Sequence, residues 1–322
     1  MIEVPQRIFV LENPVAKNGH IGNRQLQDLI NFTGLKQDRI YTSRDPVETG
    51  GALSEELEPT DLLYVIGGDG TVNMATEALM DTKAIVLPTR SGNANDLARA
   101  LNGNLAPWEV YREAFTNGVL RSVEVRPIQV DVERLDNTFH DRKYAMNYVS
   151  FGFAALASEY VNRPWEHQLM YELYKVLPPK VQAAMRLPRE AVQLGKAARD
   201  ISPFEVIVGD QRREVVDLSF VHSSRMAKLG RFPLEHTADY MLSSMLSEKG
   251  VGAMAGQFVR MMFKAMSVEQ TAGAEFCVSS GADNQQLFYQ VDGEAHALPK
   301  TSIVSVSLAD KFIRALSTNM TS

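Results

Sequence analysis

Residues 67–73, Gly67-Gly68-Asp69-Gly70-Thr71-Val72-Asn73, have the types and the order that phosphate chemistry asks for. An apolar run, Leu62-Leu63-Tyr64-Val65-Ile66, leads into them, and a helix-compatible segment from Met74 to Met80 follows. Glycines let backbone N–H groups approach phosphate oxygens closely, and free N–H groups at a helix start point at an anion. Asp69 would repel bare phosphate, so it makes chemical sense there mainly when Mg²⁺ stands between. A plain Gly/Asp turn closing a buried strand has the same composition, so two further segments weigh on the reading. Leu11-Glu12-Asn13-Pro14-Val15-Ala16-Lys17-Asn18-Gly19 leaves a strand for a flexible loop able to wrap a phosphate chain or a base edge. Taken alone it is a strand-ending turn. Leu87-Pro88-Thr89-Arg90-Ser91-Gly92-Asn93-Ala94-Asn95-Asp96-Leu97-Ala98-Arg99 again follows an apolar strand and precedes a helix, with Asn95 or Asp96 of N-cap type. Two such loops from one parallel sheet lie near the same strand ends, where open α/β folds bind ligands.

The elements that must hold these loops alternate over the first 120 or so residues. Strands are expected at 7–11, 62–66 and 84–87, and helices at 24–31, 72–80, 95–100 and 108–117. Strands spaced by helices imply βαβ units and a mostly parallel sheet. After Gly118 the pattern changes to β type, with runs at 122–132, 143–150, 204–208, 215–222, 275–279, 287–291 and 302–308. Turn signals separate these runs, which gives a second, antiparallel, sandwich-like domain. Two helical insertions are expected in it, 156–199, broken by Pro164, Pro178-Pro179 and Pro188, and 238–266. The methionines of the second, among them Met241, Met245 and Met254, suit core packing or an adaptable surface for acyl chains. Basic residues of the first, such as Arg189, Lys196 and Arg199, suit a solvated helix face or anionic headgroups.

Composition narrows the classes. A chain of 322 residues has interior enough for two domains, and 45% hydrophobic with 22% charged residues is ordinary for a soluble globular protein. A net charge of −6 argues against a general nucleic-acid binder. Cys277 is the only cysteine, which excludes an intramolecular disulfide and a thiolate metal cluster and fits a reducing compartment. No run approaches the roughly 18 apolar residues of a spanning helix, and the start reads as no signal peptide. Any action at a membrane is expected from its surface.

The pairing of Gly67–Asn73 with Gly92-Asn93-Ala94-Asn95-Asp96-Leu97-Ala98-Arg99 resembles the diacylglycerol kinase catalytic domain. That superfamily also holds sphingosine and ceramide kinases, bacterial soluble lipid kinases and, more distantly, NAD kinases. Its pattern of Asn-Pro, Gly-Gly-Asp-Gly-Thr, Asn-Asp-x-Ala-Arg and a late Asp-Gly-Glu is met in order, the last by Asp292-Gly293-Glu294. The resemblance covers nearly the whole chain. It implies a Rossmann-like α/β domain at 1–121, a β-sandwich with helical insertions at 122–308, and a C-terminal segment, 309–322, returning to the first domain.

By the same resemblance Asn13, Pro14, Thr42, Gly67, Gly68, Asp69, Gly70, Thr71 and Asn73 hold ATP, and Gly92, Asn93, Asn95 and Asp96 complete that site beside the acceptor hydroxyl. Asp69 engages Mg²⁺ with the β- and γ-phosphates, Glu294 is the general base, and Asp292 assists the metal or the base. Asp239 corresponds to an acidic residue of a structural Mg²⁺ loop. Without the other motifs, Asp292-Gly293-Glu294 reads as a β-hairpin turn. Departures from the pattern fall at Met74 for the usual Glu, two extra residues between Pro88 and Gly92, Asn93 for Thr, Ala154 for Asp, and Ser223–Arg231 for a glycine-rich segment. The expected function is an ATP- and Mg²⁺-dependent kinase of a hydroxyl lipid of diacylglycerol type, working from the cytoplasm at a membrane surface. No nucleic-acid partner is expected, and a homodimer is left open. The rivals are an NAD-kinase-like enzyme with a soluble acceptor and a sensor that binds nucleotide or lipid without transfer.

Overall fold

The structure is a computed structural model that describes residues 5–14, 16, 19–43, 45–92, 95–116, 119–134, 136, 140–162, 179–208, 211–226, 230–231, 234, 238–247, 252, 269–271, 273–280, 287–299 and 301–318. The chain begins β1 (Arg7–Glu12), α1 (Gly19–Thr33), β2 (Lys36–Thr42), α2 (Pro46–Glu56), β3 (Asp61–Ile66), α3 (Asp69–Asn73), α4 (Thr76–Thr82), β4 (Ile85–Pro88), α5 (Asp96–Asn102) and α6 (Pro107–Ala114). Strands β2, β1, β3 and β4 pair in that order, all parallel. β3 is buried along its whole length, which is why it is an unbroken apolar run and not an alternating one. Ile8, Val10, Leu62 and Tyr64 pack on one face with Leu26 and Leu29 of α1 and Val110 and Tyr111 of α6. Phe9, Leu11, Leu63 and Val65 pack on the other with Leu53 of α2, Leu79 of α4 and Leu97 of α5.

The chain continues through β5 (Phe115–Thr116), β6 (Val119–Leu120), β7 (Ser122–Val125), β8 (Ile128–Arg134), β9 (His140–Ala145), β10 (Tyr148–Gly152), α7 (Phe153–Asn162) and α8 (Pro179–Asp200). There follow β11 (Phe204–Val208), β12 (Gln211–Val215), β13 (Asp217–Val221), β14 (Arg225–Met226), β15 (Gly230–Arg231), β16 (Met241–Leu246) and β17 (Glu269–Thr271). The last strands are β18 (Gly273–Ser280), β19 (Leu287–Val291), β20 (Glu294–Leu298), β21 (Thr301–Leu308) and β22 (Ile313–Leu316). One antiparallel sheet runs β17-β16-β13-β10-β19-β20 and another β12-β11-β18-β21-β8-β9. Their inner faces close on Phe151, Phe220, Phe276 and Tyr289, whose rings meet edge-on or stacked.

β22 crosses back to lie parallel to β4 in the first sheet, with β7 antiparallel on its outer side. The first sheet therefore takes in Ser122–Val125, beyond the boundary expected at 121, because Val125 joins Ile313 and Ala315 in the core of the first domain. The helix expected from 238 is corrected over 241–246, which is strand β16. Its backbone pairs with β13, and Met241 is buried in the sandwich core. The other methionines of that segment, at 254, 261, 262 and 266, lie outside the described residues. The break expected at Pro188 is also absent, since α8 runs through it. A proline there removes one ladder bond, while Ala197 and Ala198 hold the helix against Leu156 and Ala157 of α7.

The start of α7 is held by Asp217 of β13, which accepts the Ala154 N–H at 2.8 Å and the Ser219 hydroxyl at 3.0 Å. Burial pushes the Asp217 carboxyl up from 3.8 to about 6. The folded chain then keeps a proton that the unfolded chain releases, so stability falls as pH rises from about 4 to about 6 and stays lower above that window. Asp217→Asn retains both contacts, its carbonyl accepting from Ala154 and its amide donating to Ser219. It is expected to remove that slope and to raise stability at pH 8 by about 1 kcal/mol. Urea unfolding across pH 4 to 8 measures both, and an unchanged slope would show that Asp217 is not its source.

Candidate active site

The strand order β2-β1-β3-β4 reverses between β1 and β3, and a ligand crevice opens where an α/β sheet makes that reversal. Glu12 of β1 lies in register with Thr42 of β2 and Ile66 of β3, so Asn13, Thr42 and Gly67 end on one edge of the sheet. The Asn13 N–H donates to the Ile66 carbonyl at 2.9 Å and closes the mouth of β1 against β3. Asn13 is partly buried, while Pro14 and Thr42 are exposed.

Gly92 brings the third loop down onto the second. A Cβ on Gly92 would sit 2.3 Å from the Gly68 Cα and 2.7 Å from its nitrogen, so the two backbones touch as only glycine permits. Asp69, buried at the start of α3, turns its carboxylate toward the start of α5. It accepts the Asp96 N–H and the Leu97 N–H, each at 3.0 Å. Asp69 thus caps α5 from a neighbouring loop. Asn95, at the N-cap position with φ of 56°, instead bonds back to Gly92, accepting its N–H at 2.8 Å and donating to its carbonyl at 3.0 Å. Burial pushes the Asp69 carboxyl up, and the Leu97 and Asp96 N–H groups and the Asn147 side chain pull it back.

From the second domain comes the hairpin β19–β20. Val291 pairs with Glu294, so Asp292 and Gly293 are a two-residue turn, with φ of 47° and 93°. Positive φ at both places is the type I′ geometry that Asp-Gly favours. The turn and the Asp-Gly-Glu motif of the sequence are the same object. The Asp292 carboxylate accepts N–H groups of Met146, Asn147 and Tyr148 and the Asn73 Nδ2 of α3. Burial first, and then the charge of Asp69, push its pKa up to about 7. Glu294 follows the turn and is exposed.

Asp69, Asp96, Asn73 and Asp292 are therefore one cluster, and Glu294 follows Asp292 by two residues at the start of β20. Asn93 lies outside the described residues. Asp239 stands apart, 92% exposed, with its nearest ionic contact at 3.7 Å from Arg126. Among the described residues no group of three His, Cys, Asp or Glu is placed to hold a metal ion. The donor set does suit a cation arriving on a nucleotide, since Mg²⁺ keeps its waters and binds one or two carboxylates together with substrate phosphates.

Sequence reasoning gave no role to Asn147, fully buried beside Asp69, whose Oδ1 has no partner among the described residues. It also missed Tyr148, whose hydroxyl is held well above its usual range by burial and by Asp292, Asp96 and Asp69. A polar pair inside the apolar stretch 144–151 was the available signal.

Two touching glycine loops thus lie at the switch point of the parallel sheet. Residues 7–128 match the family model described as the diacylglycerol kinase catalytic domain, and the match takes in both loops. It agrees with the resemblance carried by the motifs and supports a kinase. Among solved structures, a diacylglycerol kinase from Bacillus anthracis str. Sterne aligns with a TM-score of 0.61 at 12% identity, over 97% of each chain. The yeast NADH kinase complexed with NADH aligns with a TM-score of 0.56 at 10% identity, over 98% of this chain and 84% of that one. At such identities the likeness is one of fold: a parallel-sheet domain joined to antiparallel sheets. No curated protein matches the chain. Among the described residues no helix is long and apolar enough to cross a membrane.

Proposed function

We propose that the protein is a lipid kinase that moves the γ-phosphate of ATP, carried with Mg²⁺, to the hydroxyl of a lipid of diacylglycerol type. The observation that carries this reading is the convergence of Gly68, Gly92, Asp69 and Asn73 on the Asp292 turn, with Glu294 immediately after it. Phosphoryl transfer needs positioned phosphates and a base within reach of the attacking hydroxyl. Backbone N–H groups of Gly68 and Gly70 at the start of α3, with Asn13 and Thr42 at the strand ends, hold the nucleotide. Mg²⁺ supplies neutralisation of the phosphate charge, and Asp69 is the carboxylate placed to meet it. Glu294 takes the proton from the lipid hydroxyl.

A membrane-surface role is supported by α8, which exposes Val192 and Leu194 alongside Arg199. Such a helix can lay apolar side chains among headgroups while its basic residues meet anionic lipid. A soluble acceptor is the second reading, favoured by the shared fold of the yeast NADH kinase.

The test incubates the protein with γ-labelled ATP, Mg²⁺ and mixed micelles of hydroxyl lipids, and with NAD and NADH in parallel. Label is expected in one lipid class and is expected to vanish with Glu294→Gln. Label in the dinucleotide alone would replace the lipid reading with the soluble one. Binding of ATP without transfer to any acceptor would leave a sensor.

A further inference from the structure

Asp292 spends its carboxylate on the protein itself. Met146 N–H donates to it at 2.6 Å, Asn147 N–H and Tyr148 N–H at 2.9 Å, and Asn73 Nδ2 at 3.1 Å. Three of these donors lead into β10 of the second domain, and the fourth comes from α3, 219 residues away along the chain. The Asp292 N–H in turn donates to the Tyr148 carbonyl at 3.0 Å, and the Ser158 hydroxyl of α7 donates to the Gly293 carbonyl at 2.5 Å. Four donors on two oxygens leave this carboxylate poorly placed to take a metal, and well placed to set distances.

We infer that Asp292 is a positioning residue that couples the nucleotide loop to the base, its bond to Asn73 fixing where the Asp292-Gly293 turn presents Glu294. This rests on the reading of Glu294 as base. The carboxylate can only accept, so Asn73 must turn its NH₂ toward it. That leaves the Asn73 Oδ1, which is buried and has no partner among the described residues, as an acceptor for a donor brought by the nucleotide. A nucleotide held there would steady Asn73, and through Asp292 the segments 146–148 and 292–294. A general base that must meet a hydroxyl on one domain and a phosphate on the other gains most from such a tie.

Asn73→Ala, Asp292→Asn, Asn73→Asp and the exchange pair Asn73→Asp with Asp292→Asn separate coupling from fold. At ATP saturation, determined for each variant, Asn73→Ala is expected to lower kcat by about tenfold to a hundredfold with acceptor KM within about twofold, the size expected for a misplaced reacting group. Asn73→Asp sets two carboxylates against each other, and Asp292→Asn sets two amides together. The exchange pair turns one donor toward one acceptor but sets its new amide nitrogen against the Met146 N–H, which donates to the same Asp292 oxygen at 2.6 Å, so it is expected to regain less than about twofold in kcat over either single variant. Independently of activity, ATP with Mg²⁺ is expected to slow amide hydrogen exchange at 146–150 and 289–296 in the natural protein and not in Asn73→Ala.

Unchanged kcat in Asn73→Ala, or nucleotide protection of 289–296 that survives it, would overturn the coupling. A protein that binds ATP and protects those segments but transfers to no acceptor would sink the kinase reading and keep the tie between domains. Failure of the natural protein to bind ATP would sink both.

Discussion

Glu294→Gln is expected to lower phosphoryl transfer by about 10²- to 10⁴-fold, the usual weight of a general base. The variant keeps the shape of the side chain and can still bond the acceptor hydroxyl, but its amide takes no proton. Glu294 is exposed at the start of β20, so the exchange disturbs little packing and stability should move by less than about 0.5 kcal/mol. ATP affinity should hold, because the nucleotide loops belong to the other domain. Single-turnover transfer at saturating ATP, with unfolding midpoint and ATP titration alongside, measures the three quantities together. A rate within a few-fold of the natural protein would mean that the proton leaves by another group and that Glu294 is only the end of a hairpin.

Gly92→Ala has the second large effect. The added methyl would meet Gly68 backbone atoms at 2.3 and 2.7 Å, which cannot yield as a side-chain end could, and Asn95 Oδ1 at 3.0 Å. One loop must withdraw, which separates the N–H groups that would share a phosphate chain. Overpacking of this kind costs about 1–3 kcal/mol. ATP binding is expected to weaken by more than about tenfold, equivalent to about 1.4 kcal/mol. Gly70→Ala provides the contrast, since no atom lies within 4 Å of its added methyl and its stability should be unchanged. Calorimetric titration with ATP and Mg²⁺, beside thermal unfolding of both variants, decides the matter. Equal ATP affinity in Gly92→Ala and the natural protein would show that the two loops need not touch.

Much of the first domain was readable because its signals are local. The run 62–66 is apolar without alternation since both faces of β3 are covered, and the glycines after it mark where the chain must bend. β2 was missed because it is an edge strand with its residues largely exposed, so Lys36-Gln37-Asp38-Arg39 carries no apolar period. α2 was missed because Gly50 and Gly51 weaken its helical pattern. The methionine segment misled over 241–246, where a run of buried and half-buried residues suits a helix or a strand alike until β13 supplies its hydrogen bonds.

The sequence by itself determined which residues are candidates for the chemistry: the glycine loop around Asp69, the second loop at 92–96 and the late Asp-Gly-Glu. Their types and order are local properties that survive without a fold. Only the tertiary structure decided what each carboxylate faces. Asp69 caps α5, Asp292 gathers the start of β10 and reaches Asn73, and Glu294 stays exposed. The physical reason is that a carboxylate's role is set by the donors it meets and by its burial. Here those donors stand 27 to 219 residues away along the chain, at separations no local pattern records.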